Sequence, residues 1–462
     1  MYVQTFNYGN VPIHFWEVLV MILLLFLVYL AGAAIRRRNI LKSPEYRYFI
    51  YGLWTKVFGG LFFALIYISY YGQGDTTGYY ECSMAFSNLF FHDFGTFLQA
   101  FFGDGSIETK SLFTSETGEP LMYMFGEAST RFTIKLLTPF MLVSGNSYLI
   151  TTLLVSVFTY GALWQLYRMF CGYFPQYSKQ LAIAVLFMPS VMFWGSGILK
   201  DSFTLASTCY LIVFFNKFIL RRGNMVKNVV ALIVFAYVVV SVKAYIMMIL
   251  LPSSLVWLFY NRMSKIRNRL VRNLIVPFVY MLIVSGSYFG LKAFGDSLGK
   301  FSVDRALKTA SINQYDLKQD YYEGNSFDIG GFEPTIPGAL SKFPQATMAG
   351  LFRPYLWDTR NVVMLLSGLE NVFMLGVTVL VLTKMRWRKM HRFVGNHPII
   401  LYCLVFSILF AFMIGLTTPN FGALVRFKIP LIPLYMACMM VIYAELTKKR
   451  VAENVIKEPN RR

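Results

Sequence analysis

Apolar residues in this chain gather into runs of roughly 20 positions, not into the one-sided stripes of water-soluble helices. Eleven such runs are legible, at about 13–35, 48–70, 148–167, 181–198, 203–220, 226–242, 245–260, 272–290, 361–383, 398–416 and 427–445. A run of that length crosses the hydrocarbon core as a helix. In lipid it must be helical, because no water satisfies a free backbone amide. The pattern predicts an all-α polytopic membrane protein with about eleven transmembrane helices, within a range of ten to twelve. The stretch 129–145 is shorter, carries Arg131, Lys135 and Pro139, and reads as an interfacial or re-entrant helix.

Two longer segments, 72–147 and 291–360, interrupt the apolar runs. The first contains SMAFSNLFFHDFGTFLQAFF at 83–102, amphipathic enough to predict helices lying along the membrane surface. The second is punctuated by Gly and Pro, with DIGGFEPTIPGAL at 328–340. Ordered connections of this length are usually functional. They belong with the spans to one transmembrane domain over 1–447, followed by a basic tail over 448–462.

Charge sets the orientation. The protein has 43 Lys+Arg against 23 Asp+Glu, a net charge of +20. With the N-terminus outside, 27 of the 43 basic residues fall in the short loops of one side and the tail, as the positive-inside rule requires. The segments 72–147 and 291–360, on the other side, hold 3 and 8 basic residues against 8 acidic residues each. The expectation is therefore an outside N-terminus, a cytoplasmic Lys448-Lys449-Arg450 tail and two extracytoplasmic loops. The first run reads as an anchor and not a cleavable signal, since Arg36-Arg37-Arg38 follows the apolar stretch instead of preceding it.

Composition excludes several classes. At 56% hydrophobic, 18% aromatic and 14% charged residues, with mean hydropathy +0.52, a soluble enzyme would have nowhere to bury its apolar surface. The positive charge sorts to loops, so no nucleic-acid partner is expected. Of five cysteines only Cys82 falls in an outer segment, which predicts no intramolecular disulfide and no metal cluster. GxxxxGK[ST], HExxH and CxxC are absent, which removes support for an ATP-driven pump or a metalloprotease.

Five basic residues escape the loop pattern: Lys56, Lys200, Lys243, Arg426 and Lys428. Glu17, Asp201 and Glu370 are the acids in or beside spans. An ionisable group at mid-span costs at least ~2.5–3.5 kcal/mol and by default marks a polar cavity or a substrate path. Lys56 and Lys243 are also open to snorkelling, and Glu17 to an interfacial place. Gly74-Asp75-Thr76-Thr77-Gly78-Tyr79-Tyr80, beyond the second run, offers a carboxylate suited to take a proton from a hydroxyl. An Asp that merely forms the turn fits the same residues. Tyr79 and Tyr80 fit either an interface anchor or stacking on a sugar. In Gly195-Ser-Gly-Ile-Leu-Lys200-Asp201-Ser202, Asp201 or Ser202 fits a helix cap, and Lys200 beside a helix N-terminus fits an anion site. Thr417–Pro433, with Asn420, Gly422 and three prolines, predicts a broken approach to the last span. Its Arg426 and Lys428 suit either a substrate phosphate or lipid headgroups. Arg353-Pro354-Tyr355-Leu356-Trp357-Asp358 offers another Arg beside aromatics and an acid, equally readable as ligand site and as interface anchor.

Four of these motifs in this order carry a resemblance: GDTxxYY, PSxxFWxSGxxKDS, FRPxxW and NFGxLVRxKxPxxPL, over about residues 50–435. The chain resembles the Wzy-like repeat-unit polymerases and related GT-C-type membrane glycosyltransferases of bacterial surface-polysaccharide clusters. The resemblance implies transfer of sugars from a polyprenyl-phosphate or polyprenyl-diphosphate donor at the outer face of the bacterial inner (cytoplasmic) membrane. On it Asp75 corresponds to the acid of the first extracytoplasmic loop, although here it follows the second span. Arg426 and Arg353 correspond to the outer arginines of the polymerases. The expected set is Asp75 as catalytic base, with Lys200, Arg426, Lys428 and Arg353 on the phosphate. Tyr79, Tyr80, Trp357, Asp201 and Glu370 would position the sugars. No cofactor is expected, and a divalent metal at Asp75 is left open. The expected partners are a polyprenyl-linked oligosaccharide, membrane lipid and other polysaccharide-assembly proteins. The competing reading is a polysaccharide or lipid-linked oligosaccharide transporter, against which stand the absence of inverted repeats and the two long loops.

Overall fold

The computed structural model describes residues 5–8, 11–263, 303–316, 325–385 and 387–457. Among them seven helices are long and apolar enough to cross a membrane: Phe15–Asn39, Pro44–Tyr71, Tyr148–Tyr173, Lys200–Ile219, Met225–Tyr260, Val362–Lys384 and Pro398–Thr417. The bent pair Phe421–Phe427 and Ile432–Thr447 makes an eighth if it is one span. The chain is a helical, polytopic membrane protein. Its described strands form one antiparallel hairpin, Thr5–Tyr8 with Val11–His14, which the apolar pattern did not announce.

The count differs from eleven at identifiable places. The run at 272–290 lies outside the described residues. The run at 181–198 is not one helix: Ser178–Leu186 stops before Pro189, which lacks an N–H and restricts the residue before it, and a short helix Pro189–Phe193 follows. The runs 226–242 and 245–260 share one helix, Met225–Met263, broken at Lys243, where φ is −143° and ψ is 74°. The last run is divided by a 67° bend after Phe427. The 129–145 stretch forms the helix Ala128–Ser144 with Pro139 inside it, and it is not among the span-length helices.

The chain divides into two compact units. One comprises 1–172, 191–214 and 226–243, and the other comprises 173–190, 215–225 and 244–462.

In the first unit the helix Phe49–Ile66 lies hard against the irregular stretch that leads into the helix Lys200–Ile219. A Cβ on Gly59 would sit 2.4 Å from the Met192 carbonyl, and one on Gly197 would sit 2.2 Å from the Phe63 ring. Only glycine permits that approach. The price of an irregular backbone is carbonyls with no helical donor, and here buried Lys56 supplies one, donating to the carbonyls of Val191 (2.8 Å) and Gly195 (2.6 Å). The amphipathic stretch 83–102 becomes two helices, Asp75–His92 and Phe94–Phe102. Asp93 divides them: its carboxylate caps the second through the amides of Gly95 (2.8 Å) and Thr96 (3.2 Å). The Thr96 hydroxyl and then these amides hold the Asp93 carboxyl below its usual range.

In the second unit the short helix Phe343–Phe352 crosses Pro398–Thr417 with the backbones in contact. Ala346 and Gly350 on one, and Ala411 and Gly415 on the other, recur four residues apart and so share a face. A Cβ on Gly350 would sit 2.0 Å from the Ala411 carbonyl, and one on Gly415 would sit 1.9 Å from that of Ala346. This is the small-residue packing that apolar helices use where the hydrophobic effect gives no help. Residues 325–327 pair with 419–421: the Phe327 amide donates to the Pro419 carbonyl (3.0 Å) and the Phe421 amide to that of Asn325 (3.1 Å).

Gly350→Val is expected to destabilise the detergent-solubilised protein by at least about 1–3 kcal/mol through overpacking. Gly376→Ala, where a Cβ meets nothing within 4 Å, should leave the thermal midpoint unchanged. Thermal unfolding followed by size-exclusion chromatography checks both; equal midpoints would contradict the backbone contact.

Candidate functional site

The residues expected to act divide between the units. Asp75, Tyr79, Tyr80, Lys200 and Asp201 lie in the first; Arg353, Trp357, Glu370, Arg426 and Lys428 lie in the second.

Asp75 opens the helix Asp75–His92 and is exposed. Gly74 before it is locked by Thr77, whose hydroxyl donates to the Gly74 carbonyl (2.8 Å) and accepts from its amide (3.1 Å). The charge of Asp75 reaches Tyr123, whose phenol is pushed up by burial, by Cys82 and then by Asp75 and Glu81. Tyr79 and Tyr80 are buried. The Tyr80 hydroxyl donates to the Asn146 carbonyl (2.9 Å), and its ring stands edge-on to Tyr148 at 5.4 Å. In this arrangement Tyr80 braces its own helix and offers no open face to a sugar. Cys82 is fully buried too, and all five cysteines are free thiols.

Lys200 begins its helix. Its ammonium donates to the hydroxyls of Thr130 (2.6 Å) and Ser129 (3.0 Å) and to the Glu127 carboxylate (3.2 Å). Asp201, 1% exposed, lies in the first turn of that helix and receives the Lys243 ammonium in a buried ion pair. The break at Lys243 is where that side chain departs. Lys56 and Lys243 therefore do not snorkel, and Glu17 is buried and accepts from the Ser147 hydroxyl and the His14 amide (3.1 Å). Glu127 was missed because it lies in a polar loop where a carboxylate is unremarkable.

In the second unit the expected residues converge. Lys428 is 0% exposed. Its ammonium donates to the Asn371 side-chain oxygen and to the Arg353 carbonyl (3.1 Å), with the Glu370 carboxylate as its electrostatic partner. Asn371 in turn donates to the Pro354 carbonyl (2.8 Å). Glu370, also buried, accepts the Ser190 amide (2.6 Å) through Oε2, while its Oε1 is enclosed and takes no hydrogen bond. So Lys428 and Glu370 face protein groups, and a direct grip on phosphate or sugar is not what their geometry offers. Asn371 was legible as a second polar residue on the apolar helix Val362–Lys384, next to Glu370.

Arg353 follows the helix Phe343–Phe352 and reaches a cleft of about 440 Å³. Its walls are Phe327, Ile329, Pro344, Met348, Ala349 and Tyr355, with Asp328, Gln345 and Arg353 as the polar groups. The guanidinium lies over the rings of Tyr355 (5.2 Å) and Phe327 (5.5 Å), and 4.0 Å from the Asp358 carboxylate. Trp357, 81% exposed, extends the aromatic surface at 4.9 Å from Tyr355. Arg426 is half-buried on the helix Phe421–Phe427, whose first residue meets the Phe327 ring in a tilted contact at 5.6 Å. Phe327 and Gln345 were not singled out from sequence; a lone aromatic or amide carries no signal until a fold gathers it. Among the described residues no three His, Cys, Asp or Glu side chains gather to hold a metal.

Comparison with protein-family models, with curated proteins and with solved structures returns no match.

Burial and the Leu121 amide at 3.3 Å enclose the Cys82 sulfur, and burial pushes its thiol up to about 12. A thiolate is the reactive form. Cys82 should therefore resist N-ethylmaleimide at pH 8 in the native protein and react fully in denaturant, as mass spectrometry of the labelled peptide will report. Native labelling would place Cys82 outside the core.

Proposed function

We propose that this protein is a membrane glycosyltransferase, or a repeat-unit polymerase of the Wzy or GT-C type. It would act on a polyprenyl-phosphate- or polyprenyl-diphosphate-linked sugar at the outer face of a bacterial inner membrane, in surface-polysaccharide assembly. The observation that carries the reading is the Arg353 cleft. A cation backed by two aromatic rings, with an amide and a carboxylate on the same wall, suits a ligand that joins an anionic phosphate to a sugar. Arg353 takes the phosphate in this scheme, and Tyr355 with Trp357 offers faces for sugar rings. Arg426 is the second proposed phosphate cation, while Lys200 keeps that role only if Glu127 releases it.

The reaction follows from that assignment. An acceptor hydroxyl oxygen attacks the anomeric carbon, a glycosidic bond forms, and the bond from that carbon to the phosphate oxygen breaks. The phosphate leaves with the electron pair, and the arginine charge stabilises the negative charge developing on it. The hydroxyl proton passes to a carboxylate, a role for which the sequence offers Asp75, exposed at the start of its helix in the first unit. No step requires a cofactor.

Transport is the second reading, favoured by one observation. Two membrane helices are broken, at Lys243 and after Phe427, and charged side chains bond protein groups there: Lys243 pairs with Asp201, and Lys428 donates to the Arg353 carbonyl. Discontinuous helices with such groups also form substrate paths in transporters.

Purified protein supplied with lipid-linked oligosaccharide distinguishes these. A product ladder marks a polymerase, and a single increment marks a one-sugar transferase. Unchanged substrate that moves between leaflets of a proteoliposome marks a transporter. Arg353→Ala is expected to lower transfer by about 10²–10³-fold, the scale of losing one oxyanion-stabilising group. Asp75→Asn at full activity would remove Asp75 from the mechanism.

A further inference from the structure

We propose that Asn371 and Lys428 are positioning residues that clamp the Arg353–Pro354 backbone and thereby aim the Arg353 guanidinium into its cleft, a proposal that rests on the cleft being the anionic-ligand site. The two side chains come from separate elements, one from the middle of the helix Val362–Lys384 and one from the bend before the last helix. They take consecutive carbonyls: Lys428 holds that of Arg353 (3.1 Å) and Asn371 holds that of Pro354 (2.8 Å). They also hold each other, since the Lys428 ammonium donates to the Asn371 side-chain oxygen. Glu370, whose Oε2 accepts the Ser190 amide (2.6 Å), is the acidic group whose charge acts on Lys428 inside the protein.

The position of the clamp explains why it is needed. The helix Phe343–Phe352 ends at Phe352, so the carbonyls of residues 353 and 354 have no helical partner. Pro354 has no amide to tie this stretch down from the other side. On the N-terminal side the backbone is immobilised by the crossing of Gly350 on Ala411. On the C-terminal side a short turn is closed by Asp358, which accepts the Tyr355 amide (2.9 Å). Between these two fixed points the Arg353 amide bonds the Ala349 carbonyl (3.0 Å) and the guanidinium lies by Asp358 and the two rings, while the clamp holds the carbonyls of residues 353 and 354 and so the plane from which the Arg353 side chain departs. A direct phosphate role for Lys428 would instead require an accessible ammonium, and it is wholly enclosed.

The test uses the full-length protein in nanodiscs, with Asn371→Leu as the principal variant because it keeps the Glu370–Lys428 pair. Lys428→Arg retains the charge and tests rescue. Two quantities are read: hydrogen exchange of the amides at 355–359, and affinity for farnesyl diphosphate against uncharged farnesol. Asn371→Leu should speed exchange at 355–359 about tenfold while the Met364 amide, capped by Asn361, stays unchanged. Its diphosphate affinity should fall about tenfold and its farnesol affinity should not, whereas general loss of structure would lower both. Unchanged exchange, or unchanged diphosphate affinity beside a deficient Arg353→Ala, overturns the clamp. Full diphosphate affinity in Arg353→Ala overturns the ligand reading of the cleft, and the exchange measurement then still decides whether the clamp exists.

Discussion

A lysine ammonium set among backbone carbonyls is the interaction on which both units depend. Irregular backbone inside a membrane protein leaves carbonyls that neither a helix nor water satisfies, and each orphan costs about 1–3 kcal/mol. Lys56 answers this in the first unit by bonding the carbonyls of Val191 and Gly195. Lys428 answers it in the second by bonding that of Arg353. In both cases the lysine amine replaces the missing backbone donor, and its burial is tolerable because the oxygens around it accept its hydrogens. Either lysine without its carbonyls, or the carbonyls without their lysine, would be a defect.

Close approach of small residues does the rest. Gly59 and Gly197 let the helix Phe49–Ile66 meet the segment that Lys56 holds, and Gly350 and Gly415 let a ten-residue helix rest on a full-length one. The second crossing sets where Arg353 begins, and so where the cleft opens. Rigid elements carrying one polar group into an apolar cleft are the usual construction of a ligand site.

The stranded charges were legible in the chain as something a bilayer would exclude, and all eight lie within the described residues. Their partners were not legible. Lys243 and Asp201 are 42 residues apart and become a pair because a helix breaks at the lysine. Glu17 meets Ser147 across 130 positions. Lys428, which by residue type alone suits phosphate, faces Asn371 and a carbonyl. A side chain's chemistry states what it can bind; whether a protein group or a ligand is bound depends on which groups the fold brings within about 3 Å.

The amino-acid sequence by itself determined that this is a helical membrane protein, because runs of about 20 apolar residues have no other stable home. It also determined which of its charges are exceptional and that the proline-rich approach to the last span is broken, since both are properties of local composition. Only the tertiary structure decided which runs are continuous helices, that Tyr80 is a brace, and that Arg353 faces a cleft while Lys428 stands behind it. Those outcomes rest on contacts between residues tens to hundreds of positions apart, whose energies depend on distances that local sequence does not encode.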